Sequence, residues 1–238
     1  MKNVIWVVAS IIVLTSAGVR ADYEQGCDDP AYHQFIASRY AYYEAKNRRL
    51  LVDTWRDYQR SLAISDNPFQ IIGDLSRHLK YSAQFDPVSE VEAKIDRVFE
   101  HADALSVKQQ IAGDVFDSFS SEKHAVGIAQ AWLAYRKGNP DEAFDALLKS
   151  IEAGDAAVLS SFGPDWNFVR QIYRDGHIAP VIAYINKTKA FWTGPRPDRL
   201  RYVWRAMINA ECEIQFDFFD TIKVLELRLS VRDVNRRQ

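Results

Sequence analysis

Residues 125–155 read AVGIAQAWLAYRKGNPDEAFDALLKSIEAGD, with His124 immediately before them. The stretch predicts two amphipathic helices, over about 122–137 and 141–153. They are joined at Gly138-Asn139-Pro140, where glycine ends one helix and proline opens the next. A helical hairpin on so short a loop cannot bury its apolar faces alone. It implies neighbouring hairpins, and hence a helical-repeat scaffold.

The same spacing recurs on both sides. Asp28-Asp29-Pro30 is a start signal for a long helix over about 31–63, with Ile36, Tyr40, Tyr43, Leu50, Trp55, Tyr58 and Leu62 at helical intervals. Asn67-Pro68 and Asp86-Pro87 open two more, and Ser106 to Phe119 reads as a fourth. After the hairpin, Gly163-Pro164-Asp165 leads into a second pair. Its first helix is marked by Trp166, Val169, Ile172 and Tyr173, and its second runs over about 178–192. Gly194-Pro195-Arg196-Pro197 is a break before a last helix over about 198–210. Ile214, Phe216 and Phe218 then alternate, as do the residues from Leu225 onward. Period two predicts an extended tail. With no Gly, Asn or Pro turn between the two runs, a helix with a broad apolar face is the alternative. The expected fold is therefore mainly α. It consists of antiparallel hairpins with a long N-terminal helix and a short C-terminal β segment.

Residues 123–155 resemble a tetratricopeptide repeat. Gly138 sits at that repeat's turn, Ala131 and Ala143 at its close-packed small positions, and Leu147 at its large apolar one. Trp132 lies off the family's register, and Asp155 stands near the place of its late proline. Residues 164–192 look like a second, degenerate unit, in which Gly176 follows Gly138 at slightly more than the family's spacing of about 34 residues. Phe162-Gly163-Pro164-Asp165 with Phe191-Trp192 is similar to a segment of uncharacterised bacterial helical-repeat proteins. The resemblance implies a scaffold with a concave, partner-binding face and assigns no activity.

The N-terminus indicates a compartment. Met1-Lys2-Asn3 is positive, Val4 to Ala17 is almost continuously apolar, and Val19-Arg20-Ala21 offers a small-residue exit. That is the pattern of a secretory signal peptide over 1–21, with an apolar core of about 15 residues, short of the roughly 20 that span a bilayer. An uncleaved N-terminal anchor is the other reading. The organisation expected is a signal over 1–21, an N-terminal helical region over 22–121, a repeat region over 122–213 and a tail over 214–238. No later run is long and apolar enough to span a membrane, so the protein is expected to be periplasmic or secreted. In such a compartment the two cysteines, Cys27 and Cys212, are expected to pair.

Composition narrows the function. A formal net charge of −2 argues against a nucleic-acid binder, and 47% apolar residues against a disordered chain. The five histidines lack the spacing of metal ligands on one helical face. No GxSxG nucleophile motif or phosphate-cradling glycine loop occurs, so neither metal nor cofactor is expected. Carboxylate pairs such as Asp141 and Glu142 sit in first helical turns, where they complement the helix dipole. The tyrosines and basic residues of the first helix read as a packing stripe against the second helix, or as a ligand face.

The expected role is partner binding along the concave side, with Gln130, Tyr135, Asn167 and Arg170 as contact residues for a protein or peptide. One alternative is a periplasmic immunity or inhibitor protein. Another is a cell-envelope hydrolase using paired carboxylates, drawn from Glu44, Asp53 and Asp57. The balance favours a binding protein over an enzyme.

Overall fold

The computed structural model describes residues 23–110, 119–152 and 157–229. The signal segment expected over 1–21, most of the helix expected over 106–119 and the end of the tail from residue 230 lie outside them. The helices are α1 (Pro30–Ile64), α2 (Pro68–Phe85), α3 (Val88–Asp103), α4 (Ser120–Arg136) and α5 (Pro140–Lys149). They continue as α6 (Ala157–Phe162), α7 (Asn167–Arg174), α8 (Ile178–Lys187), α9 (Pro195–Asn209) and α10 (Asp220–Glu226). The chain is mainly α, and no strand occurs among the described residues. No described helix is long and apolar enough to cross a membrane.

Local chemistry sets the helix ends. Proline stands in the first turn of α1, α2, α5 and α9, where its missing N–H costs nothing. Asp29 caps α1 by accepting from the Ala31 N–H at 2.9 Å, and Asn67 caps α2 by accepting from Phe69 at 3.1 Å. Helices α4 and α7 stop in the same way. Asn139 N–H bonds the Ala134 carbonyl and His177 N–H the Ile172 carbonyl, each at 2.9 Å, around Gly138 (φ 82°) and Gly176 (φ 86°). The two turns flagged in the sequence thus share one geometry.

Packing runs along the chain. Helix α2 lies between α1, α3 and α4, α4 packs on α5, α5 on α8, and α8 on α7 and α9. The buried side chains form one continuous cluster. The α4–α5 crossing is closest at Gly127, where an added Cβ would stand 2.6 Å from Ser150 Cβ and 2.9 Å from Ser150 Cα. Gly127→Ala is expected to cost about 1–3 kcal/mol through overpacking, outweighing alanine's helix preference of about 1 kcal/mol. A urea midpoint equal to or above that of the parent protein would contradict so tight a crossing.

His124 ties this hairpin to the next. Its Nδ1 donates to the Ser150 carbonyl at 3.2 Å, and its Nε2 accepts from the Asp165 N–H at 3.0 Å. Both bonds need the neutral ring, and burial holds its pKa well below the ordinary value, with Lys80 adding to the effect. The unfolded chain takes up this proton from about pH 6.5 downward while the folded chain does not, so the contribution present above pH 6.5 is lost in acid. His124→Gln can reproduce both bonds without titrating. Its loss of unfolding free energy between pH 7 and pH 4.5 is expected to be about 2 kcal/mol smaller than the parent's. Equal losses in urea titrations would exclude His124 as an acid-sensitive group. Asp220 works in the opposite sense. Burial raises its carboxyl to about 7, so acid favours the folded state there, equally in both proteins.

The tail corrects the sequence expectation. Residues 220–226 are helical, with Val224 and Leu227 buried three apart and Leu225 exposed, so the period is three rather than two. Residues 212–217 form an irregular strap, and Phe216 has φ 56°. The strap has no β partner because side chains already hold its carbonyls. Tyr173 donates to Cys212 O (2.5 Å), Tyr32 to Glu213 O (2.5 Å), Tyr40 to Ile214 O (2.9 Å) and Arg170 Nε to Gln215 O (2.7 Å). Buried Asp220 holds the strap's N–H side, accepting from Asp217 N–H at 2.9 Å and Gln215 N–H at 3.3 Å. The Cys27–Cys212 disulfide is formed, with the two Cα atoms 4.9 Å apart, and fixes the strap to the start of α1.

Candidate functional site

Three tyrosines of α1 pack on the strap rather than on α2, and that choice opens a groove. Tyr32, Tyr40 and Tyr43 reach the strap, whereas Trp55 and Tyr58 turn to His78 and His101 on α2 and α3. Between the first half of α1, the end of α2, α4 and α7 lies a cavity of about 630 Å3. Tyr40, Tyr43, Asn47, Trp132, Asn167 and Arg170 are among its walls, with His33, Glu44, Arg174 and Glu213 also lining it.

The wall is preorganised. Arg170 is 8% exposed. Its guanidinium lies 3.9 Å from the Tyr43 ring centroid, and Nη1 donates to Asn167 Oδ1 at 3.0 Å. Burial lowers its pKa, while nearby Tyr43, Asp165 and Asp217 oppose that shift. Asn47 Nδ2 donates to Gln84 Oε1 (3.0 Å) and Asn167 Oδ1 (3.1 Å), joining three helices through amides. Burial, followed by its bond to Asp217, pushes Tyr43 up to about 12, so it keeps the proton it donates to that carboxylate.

Two donors in this wall are left over. Trp132 is 8% exposed, and its buried Nε1 has no partner among the described residues. A buried indole N–H without an acceptor costs about 1–3 kcal/mol. Arg174 is exposed, lies 4.5 Å over the Tyr40 ring and makes no ion pair among the described residues. The groove therefore offers donors and positive charge to an acceptor.

Of the four contact residues expected from sequence, Asn167 and Arg170 meet in this groove. Gln130 lines a different depression, between α3, α4 and α5, with Lys123, Lys137, Asp141 and Asp145. Tyr135 is a wedge between the two hairpins. It donates to Asp175 at 2.6 Å and packs on Phe144, Phe168 and His177. Glu44 and Glu213 are the groove's carboxylates, the first exposed and the second half-buried; Glu44 pairs with Arg48 and Glu213 with His33. Asp53 and Asp57 lie elsewhere on α1, beside Arg56 and Arg60.

Trp132, Arg174 and Asn47 did not stand out in the sequence. The one signal was Trp132, a large side chain among small ones and off the repeat register. No cluster of three or more His, Cys, Asp or Glu side chains that could hold a metal occurs among the described residues. Comparison with known family models, curated proteins and solved structures yields no match.

Proposed function

We propose that this chain is a secreted or periplasmic helical-repeat scaffold that binds a peptide or protein partner in the groove between α1, α7 and the strap. The partner segment carries a carboxylate. The observation that carries this reading is the unpartnered Trp132 indole N–H in a cavity that also holds Arg170 and Arg174. A carbonyl or carboxylate oxygen satisfies that donor, and Arg174 supplies charge at the rim. Tyr40 and Tyr43 add rigid aromatic surface, as in binding sites generally. The disulfide and the absence of a described membrane-spanning helix are compatible with the compartment.

The test is capture of a partner from an envelope extract of the source organism, scored across variants. Arg174→Glu and Trp132→Phe are each expected to weaken capture at least about tenfold, the effect of losing one charge-assisted or buried hydrogen bond. Gln130→Ala is expected to leave it unchanged. Capture that survives both groove variants and fails with Gln130→Ala would move the site to the other depression.

A further inference from the structure

A second cavity, of about 480 Å3, lies between α1, α2 and α3 and shares no lining residue with the groove. Its apolar wall is Leu51, Val52, Trp55 and Ala93, and its polar wall includes His78 and Asp86. Its size falls in the range of small-molecule sites, about 300–1,000 Å3. His78 is 1% exposed. Its tautomer follows from its neighbours. Thr54 Oγ1 donates its own proton to the Leu50 carbonyl at 2.6 Å, so it accepts from His78 Nδ1 at 3.1 Å. Nε2 then carries a lone pair, is buried and has no partner among the described residues.

Another acceptor lies close to that lone pair. Asp86 Oδ2 lies 4.0 Å from His78 Nε2. Oδ2 is already held by Lys94 Nζ at 2.5 Å and Ser82 Oγ at 2.7 Å, and no hydrogen bond from the described residues reaches Oδ1. Lys94 Nζ, the donor beside them, bonds Asp86 Oδ2 and Ser82 Oγ (3.0 Å), and no described donor reaches Nε2, which leaves an unpaid desolvation cost on the imidazole. A group with two N–H bonds satisfies both. Asp86 and Glu90 are offset by Lys94 and Arg97 around the cavity, which favours an uncharged donor.

We propose that this cavity binds a neutral small molecule with an apolar body and a planar NH2 group. The body packs on Trp55, Leu51 and Val52. One N–H donates to His78 Nε2 and the other to the Asp86 carboxylate.

Benzamide is the probe and N,N-dimethylbenzamide, which has no N–H, its control. Both are titrated into protein labelled with 15N at histidine and 13C at the leucine and valine methyls. Benzamide is expected to shift the His78 Nε2 resonance and the Leu51 and Val52 methyls saturably. The control is expected to bind at least about tenfold more weakly, the effect of losing a hydrogen bond to a buried acceptor. Asp86→Asn, whose amide nitrogen can itself donate to His78 Nε2, is expected to weaken benzamide by a similar factor. Absence of a saturable shift with benzamide, or equal affinity for the two compounds in the unmodified protein, would overturn the proposal. Neither outcome depends on whether the variant folds.

Discussion

Removing the Cys27–Cys212 bond, by thiol reduction or by a double Cys→Ser replacement, is expected to lower the unfolding free energy by up to about 5 kcal/mol. The bridge joins positions 185 residues apart, so in the chain-entropy account it restricts almost the whole unfolded chain. A domain of this size has about 5–15 kcal/mol in total, so the loss is a large share. The folded side adds to it. Cys212 begins the strap whose carbonyls are held by Tyr32, Tyr40, Tyr173 and Arg170, and Cys27 lies just before the helix carrying the first two of these. Without the bridge, hydrogen bonds from side chains of α1, those of Tyr32 and Tyr40 together with Arg39 to Gln215 and Tyr43 to Asp217, hold the strap to that helix. Urea unfolding with and without reductant measures the effect. A difference under about 1 kcal/mol would show that the bridge adds little to a strap already fixed by side chains.

Trp204→Ala is expected to cost about 4 kcal/mol or more. Trp204 is fully buried against Trp166, with ring centroids 4.4 Å apart, and near Phe216 at 5.6 Å and Trp192 at 6.3 Å. Its Nε1 also donates to Asp220 Oδ2 at 2.9 Å. Alanine leaves a cavity among aromatic rings and takes a donor from a carboxyl that is itself fully buried. Trp204→Phe narrows the comparison, because one aromatic ring remains while the N–H and the indole's second ring are lost; about 1–3 kcal/mol is expected for the N–H, with the missing ring atoms adding to it. Equal costs for the two variants would mean that the hydrogen bond, not the packing, carries the position.

The helices were legible because their signals are local. Pro30, Pro68 and Pro140 mark first turns, and Gly138 and Gly176 mark helix ends that need positive φ; Pro195, taken from sequence as part of a break before residue 198, instead opens α9. The strap was not legible, because Ile214 and Phe216 alternate as a strand would. What prevents a strand is a set of donors on α1 and α7, distant in sequence. The same non-local contacts hid the groove. Asn167 and Arg170 were identified as polar residues on a repeat helix, but their partners Asn47, Tyr43 and Gln215 come from elements that only the fold brings together. Gln130 satisfied the same sequence criterion and lies on another face. Arg201, on a helix rich in exposed arginines, is itself 3% exposed and holds the Trp192 carbonyl at 2.7 Å. An arginine's pattern position does not reveal a buried acceptor waiting for it.

The most direct test of the proposed groove is site-specific photocross-linking in the native envelope. A photoreactive side chain at Ala41, an exposed groove residue on α1, is compared with one at Gln130. The expected result is one discrete adduct from position 41, lost on Arg174→Glu, and none from position 130. A discrete adduct from position 130 with none from position 41 would contradict the assignment of the α1–α7 groove as the binding site.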